Sequence, residues 1–447
     1  MLHAKGFRYR RFLNWFPMGL TYALLYMGRY NLTVSKNALG NLMTKADFGW
    51  IFGIGAVVYA ISFLVNGPLV DRIGGKRGIL IAAFGAGGAN LAMGLYLWRV
   101  MGMEDPATAP LRLVFSLLYA INMYFQSYGA VSIVKVNAHW FHVKERGTFS
   151  GIFGVMISSG IFLAFDVSQR ILESPLVAGR GFSGADATWW VFFSPAALLF
   201  LLFFVEIFML RDRPSQAGFK DFDTADESSG EDLDARIPTR QLLRRILTHP
   251  VILTVAGIEF CTGVLRNGVM HWFPILAKEQ ELAGLGGQGW TFMLRHWGLL
   301  LMVAGIIGGN LAGILSDKVF QSRRAPSAGF LYASMALLIL GMGFSLSQGW
   351  VLGFLVFGIS ICVIGTHGLL SGTATMDFGG RRGAATAVGI IDGFVYLGTA
   401  VQSFSLGWIT TRNWSAWPWF LLPFALAGFF LLTRIWKAMP GGMKKKS

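Results

Sequence analysis

Apolar runs of about 20 residues recur along this chain, each long enough to cross the ~30 Å hydrocarbon core of a bilayer as a helix. Residues 48–70, 188–210 and 417–436 are three of them. They leave few choices of fold. In lipid every backbone N–H and C=O must be satisfied within the spanning structure, so only helices and closed barrels qualify. Barrel strands would be about 10 residues long and alternate in polarity, and these runs do neither. Only 14% of the 447 residues are charged, against roughly 25% in a soluble domain. The chain lacks the polar surface to stay in water, and an all-α membrane protein is expected.

Twelve spans can be drawn, over residues 13–36, 48–70, 78–100, 111–137, 148–171, 188–210, 251–277, 290–315, 328–346, 351–374, 384–410 and 417–436. Lys and Arg gather in alternate short loops, as at Arg72, Lys76 and Arg77, at Lys144 and Arg146, and at Arg381 and Arg382. By the positive-inside rule these loops and both termini face the cytoplasm, which requires an even number of spans. The net charge of +15 is therefore read as topology, with membrane lipid as the neighbour and no nucleic-acid partner. A bacterial-type inner membrane and a monomer are expected. The segment after Arg8, Arg10 and Arg11 lacks a small-residue cleavage site and itself holds Arg29, so it reads as a retained first helix.

One polar stretch, 211–250, interrupts the pattern. Its centre is acidic and poor in hydrophobic residues, which suits a linker, and 240–247 is a short basic amphipathic piece suited to a membrane surface. The chain thus divides into a six-helix bundle over 1–210, a cytoplasmic linker over 211–250 and a second six-helix bundle over 251–447. The halves echo one another. Gly67-Pro-Leu-Val-Asp71-Arg72 follows the second span, and Gly313-Ile-Leu-Ser-Asp317-Lys318 follows the eighth. Spans five and eleven are each entered through an Arg-Gly step, Arg146-Gly147 and Arg382-Gly383. These correspondences indicate an internal duplication and two pseudo-symmetric bundles.

Chemistry is concentrated in a few intramembrane charges. Arg266 lies far from both ends of its span. A guanidinium does not deprotonate in proteins, so it needs a compensating partner. Arg29 is the matching cation of the first span, with interfacial snorkelling as its alternative. Tyr22, Tyr26 and Arg29 share one helix face, as do Asp392 and Tyr396. Glu259 precedes Arg266 by two turns on one side of the helix, roughly 10 Å of rise, too far for a tight pair within that helix. It is placed to moderate the field or to meet Lys135 or Arg29 across the bundle. Asp392 reads equally as a substrate or counter-ion group and as a structural pair, and Lys135 equally as structural. Asp166, near the end of its span, reads as interfacial. Cys261 and Cys362 sit in apolar runs as free thiols, and no metal-ligand spacing or nucleophile–base cluster appears. No catalytic residue, metal or cofactor is expected, and the chain does not read as an enzyme.

The loop Gly67-Pro-Leu-Val-Asp71-Arg72-Ile-Gly74-Gly75-Lys76-Arg77, with six spans on each side of a linker, resembles the major facilitator superfamily. Four stretches narrow the likeness: Tyr22 to Asn31, Leu265 to Pro274, His139 to Gly147 and Gly389 to Gly398. Together they resemble the organophosphate:phosphate antiporters, the group of glycerol-3-phosphate and hexose-6-phosphate transporters. That resemblance implies that Arg29 and Arg266, one per half, bind a substrate phosphate. It also implies that Tyr22, Tyr26 and Tyr396 line the same cavity. The chain departs from the glycerol-3-phosphate pattern at Phe63, Ile157 and Gly263, where that group has lysine, histidine and tyrosine.

The chemistry agrees with that expectation. A phosphate monoester carries about −1.5 to −2 charges at neutral pH, and arginine grips it with two parallel hydrogen bonds while staying charged. Two empty, uncompensated arginines are costly to seal from water, whereas a bound dianion offsets both. Exchange of an organic phosphate for inorganic phosphate is therefore expected over uniport. Two alternatives stand: a membrane sensor of sugar phosphate with the same fold, and a proton-coupled transporter of another anion that uses Glu259 and Asp392.

Overall fold

The structure, a computed structural model, describes residues 5–142, 154–178, 181, 184–222, 248, 250–321 and 323–437, without the side chains of 71, 138, 176, 178 and 372–388. The Arg146-Gly147 step and the amphipathic piece at 240–247 lie outside the described residues. Twelve long helices carry the fold. In the first half they are α1 (Phe7–Leu39), α2 (Lys45–Ile73), α3 (Gly75–Met101), α4 (Leu111–Trp140), α5 (Gly154–Leu172) and α6 (Trp189–Met209). In the second they are α7 (Pro250–Leu282), α8 (Trp297–Val319), α9 (Arg324–Gly343), α10 (Gly349–His367), α11 (Thr375–Arg412) and α12 (Ala416–Arg434). The fold is an all-α membrane protein of two six-helix bundles. Helix α11 starts at Thr375, earlier than the Ala384 read from the pattern, so Gly379 and Gly380 lie within it.

Among the described residues, nine helices are long and apolar enough to cross a membrane on length and composition alone. The other three, α1, α4 and α11, are at least as long but carry polar groups in mid-span: Arg29 and Asn31, Asn122 and Gln126, Asp392 and Gln402. A polar group facing lipid is costly, so these three helices turn inward, and with α7 and α2 they build the centre of the molecule.

Helix α7 breaks at His271 into Pro250–Met270 and Trp272–Leu282. Pro274 is the cause, since it has no N–H for the Met270 carbonyl four residues back and its ring crowds that carbonyl. The freed carbonyl accepts instead from the Trp297 indole of α8 at 2.8 Å.

The halves meet closely on the side away from the termini. Lys45 pairs with Glu279 at 3.0 Å, and the Trp414 indole donates to the same carboxylate at 2.7 Å. Thr33 and His271 share a hydrogen bond of 2.7 Å, and Asn37 donates to the Pro274 carbonyl at 3.1 Å. Asp166 accepts from the backbone N–H groups of Gly298 and Leu299 at 2.6 and 3.1 Å. It thus caps the first turn of α8 from a wide turn of α5, Leu163–Val167. The interfacial reading of Asp166 is corrected by this contact: it is buried between the halves. Helices α2 and α11 cross at Gly49 and Gly407, where a Cβ on Gly49 would strike the Ser403 carbonyl. Small residues there let two backbones touch, a usual device of helix packing in lipid.

Candidate functional site

Arg29 lies at the centre of the molecule with no exposed surface. Its Nε donates to Gln126 Oε1 at 2.8 Å, its Nη1 to Tyr396 Oη at 2.5 Å and its Nη2 to Tyr59 Oη at 2.9 Å. The guanidinium carbon stands 4.5 Å from the Tyr59 ring centroid and 4.8 Å from that of Tyr26. Snorkelling is excluded by this burial. The helical positions explain the arrangement. Tyr26 precedes Arg29 by about one turn, Tyr59 comes from α2, Gln126 from α4 and Tyr396 across the bundle from α11. Phenol rings supply both a hydroxyl acceptor and a negative face, so the charge is held by dipoles and π-faces without any carboxylate.

Arg266 is 5% exposed and is held differently. Its Nε has no hydrogen-bond partner. Tyr26 and Tyr30 of α1 and Tyr396 of α11 lie near enough to act on its charge. The Tyr26 side chain is its hydrogen-bond partner. Among the described residues no Asp or Glu oxygen comes within 4.0 Å of either guanidinium. The two arginines thus share the Tyr26, Tyr30 and Tyr396 cluster between them, Arg29 fixed by three bonds through Nε, Nη1 and Nη2, and Arg266 held by the Tyr26 side chain with its Nε unpartnered.

A second group of side chains occupies the terminal side of the arginines, on the second half alone. Glu259, which has no exposed surface, accepts from or shares a proton with His367 Nδ1 at 2.8 Å through Oε2, while its Oε1 has no partner. Ser371 donates to Asp392 at 2.6 Å. The charges of Arg266 and His367 act on both carboxylates, and Asp392 acts on Glu259. Glu259 is two helical turns before Arg266 on α7, and Asp392 is one turn before Tyr396 on α11.

Most of the residues singled out from sequence come together here. Arg29, Arg266, Tyr26 and Tyr396 form one cluster. Tyr22 is buried beside Tyr26, with ring centroids 5.3 Å apart, and Asp392 lies near enough to act on it. Glu259 and Asp392 form the adjoining group. Lys135 does not join them. It follows Gln126 by nine residues on α4, about 13 Å of rise toward the terminal side, and it is half-buried near His139. The expected meeting of Glu259 with Lys135 or Arg29 is replaced by His367.

The three departures from the glycerol-3-phosphate pattern have visible surroundings. Phe63 packs edge-on against Tyr59 at 4.5 Å and near Tyr396, so an aromatic wall stands at that position. Ile157 is half-buried against the core. Gly263 faces the α11 backbone, where a Cβ would fall on the Val395 carbonyl, and Gly398 faces the Phe260 carbonyl in the same way. No side chain fits at 263 while α7 and α11 are this close. Two partners, Tyr59 and Gln126, escaped the sequence reading. For Gln126 a signal existed, since Asn122 and Gln126 form an i, i+4 polar pair within an apolar run. For Tyr59 none did, because tyrosine in a span is as often packing as binding.

Comparison with known proteins adds an independent line. The Major Facilitator Superfamily model matches residues 18–403. A probable hexose phosphate transport protein of Chlamydia pneumoniae is 25% identical, over 99% of this chain and 95% of the relative. A glycerol-3-phosphate transporter of Bacillus subtilis (strain 168) is 24% identical, over 93% and 90%. The membrane sensor protein UhpC of Salmonella typhimurium is 23% identical, over 96% and 89%.

Proposed function

The chain belongs to the Major Facilitator Superfamily, and from that premise we propose that it is a secondary transporter exchanging an organic phosphate ester for inorganic phosphate by alternating access. The single observation that carries this reading is the arginine pair. Two buried guanidinium groups, from the corresponding helices α1 and α7 of the two bundles, meet around shared tyrosines with no carboxylate in contact. Buried charges are ordinarily paired. A phosphate dianion bound between them supplies the missing countercharge and ties one half to the other. The named relatives that carry hexose phosphate or glycerol 3-phosphate support the same class of cargo.

Arg29, Arg266, Tyr22, Tyr26 and Tyr396 are the proposed substrate contacts, with Glu259 and Asp392 beside them. In this reading Arg29 is a fixed anchor. Arg266, held by fewer bonds and with its Nε unpartnered, supplies the planar fork that closes on the phosphate. Lys135 is left out of direct contact. The bundles over 1–210 and 251–447 then move against each other about the 211–250 linker. The dense contacts away from the termini fit a state sealed on that side. Positive loops support an inner-membrane protein, embedded in lipid, with both termini cytoplasmic.

The test is counterflow into liposomes preloaded with inorganic phosphate, with glycerol 3-phosphate, glucose 6-phosphate and phosphoglycerate outside. Uptake of at least one ester that depends on internal phosphate is expected. The sensor reading, favoured by the UhpC likeness, predicts saturable binding of an ester without exchange. Absence of counterflow for every phosphate ester overturns the proposal.

A further inference from the structure

The arginine pair accounts for one end of a substrate. The group formed by Glu259, His367, Ser371 and Asp392 is unexplained by phosphate. A carboxylate repels a phosphate, and two of them within the field of Arg266 remove much of the positive potential that a dianion needs. With both acids ionised and His367 neutral, the two arginines and two carboxylates cancel. A simple phosphate dianion entering that site would leave two uncompensated negative charges.

Two further observations point to a ligand rather than to an internal ion pair. Arg266 faces the acidic group, its charge acting on both Glu259 and Asp392, yet no oxygen of either comes within 4.0 Å of it and its Nε is unpartnered at 5% exposure. Glu259 Oε1 is likewise unpartnered at 0% exposure. The cation and the acids are thus held near one another without closing. Along α7 the two positions are separated by about 10 Å of rise, the scale of one small organic phosphate.

Resting on the transport reading above, we propose that the substrate is a zwitterionic phosphate ester, whose phosphate lies between Arg29 and Arg266 and whose ammonium group lies on Glu259 and Asp392. An ammonium offers three donors to acceptors that are otherwise incompletely used. Its charge lowers the residual negative charge of the loaded site. His367, hydrogen-bonded to Glu259 and acting on Asp392, and Ser371 on Asp392 are positioning residues that hold the carboxylates toward the ligand. The aromatic Phe63 stands on the first half's wall beside Tyr59 and Tyr396. The acids therefore face no competing cation from that position.

The test uses the full-length protein in liposomes, with matched esters competing against exchange of labelled inorganic phosphate. One set is glucosamine 6-phosphate, glucose 6-phosphate and N-acetylglucosamine 6-phosphate, which differ at a single carbon as ammonium, hydroxyl and neutral amide. The other pair is 2-aminoethyl phosphate against 2-hydroxyethyl phosphate. The expected result is at least about tenfold tighter competition by the ammonium compound in one or both sets, the scale of one charge-assisted hydrogen bond. That ratio is expected to fall toward one in Glu259→Gln and in Asp392→Asn, whatever their absolute rates. Phosphate exchange without any ammonium preference in the wild type overturns this proposal and leaves the transport reading standing. Ester uptake accompanied by proton entry, again without preference, overturns it in favour of proton carriage by the acids. A preference that survives both substitutions also overturns it. Absence of any phosphate exchange overturns the transport reading itself.

Discussion

Arg29 and Arg266 occupy corresponding helices but have unequal surroundings, and their substitutions are expected to differ accordingly. Arg266→Lys keeps the charge and loses the planar fork. Its counterflow rate is expected to fall roughly 10- to 100-fold, the range of one or two charge-assisted bonds. Tyr396→Phe removes one of the three acceptors that fix Arg29 and keeps the ring. An increase of several-fold in the half-saturating ester concentration is expected, about 0.5–1.5 kcal/mol, with the maximal rate less affected. Wild-type behaviour of Arg266→Lys would argue against direct phosphate contact. Both arginines were legible in the sequence because a mid-span guanidinium has no neutral form. Of their tyrosine partners, Tyr26 was legible on the helix that carried Arg29, and Tyr396 through the family resemblance. Tyr59 reaches Arg29 from another helix, and His367 reaches Glu259 across from α10, where no spacing rule announces a contact.

At the scale of single helices, the break in α7 and its close packing on α11 decide where these side chains point. Pro274 sets the break, and the Trp297 indole satisfies the carbonyl it frees. Gly263 and Gly398 bring the α7 and α11 backbones together so that Arg266 and Tyr396 reach the same cluster. Gly263→Ala puts a methyl group onto the Val395 carbonyl. The expected cost is about 1–3 kcal/mol, as for overpacking, read as a lower unfolding temperature of the detergent-solubilised protein and a loss of ester affinity. Unchanged stability and affinity would show that the two helices separate readily. Helix number followed from run length and the alternation of basic loops. The breaks did not, because a proline near the end of a span reads equally as a terminus.

For the whole molecule the balance between its two openings depends on bonds across the halves. Two carboxylates hold the side away from the termini, and their burial ranks them. The Glu279 side chain is 38% exposed, so its pair with Lys45 is worth about 0–1 kcal/mol. Asp166 is 2% exposed and caps two backbone N–H groups of α8, a role worth about 1–2 kcal/mol. Asp166→Ala is therefore expected to shift the population toward opening on that side by roughly 5- to 30-fold, and Glu279→Ala by less. Labelling of single cysteines placed along the cavity wall, from each side of the membrane, measures the shift. Equal effects, or a larger one for Glu279→Ala, would refute the ranking. The sequence carried the duplication and the two bundles, since loops and spans repeat. Which side is sealed was not legible, because Asp166 and the first turn of α8 are brought together only by the assembled halves.

The glycine crossing of α2 and α11 has a bearing on how such proteins diversify. At Gly49 and Gly407 the moving parts touch through main chain, so the joint holds no side chain that selection can retune in small steps. A substitution there disables motion for every cargo at once. The pocket a few turns away is built from exchangeable groups such as Phe63, Ile157, Glu259 and Asp392. Heritable change in cargo is thereby channelled into the lining, and one mechanical design is handed down intact while what it carries is free to drift.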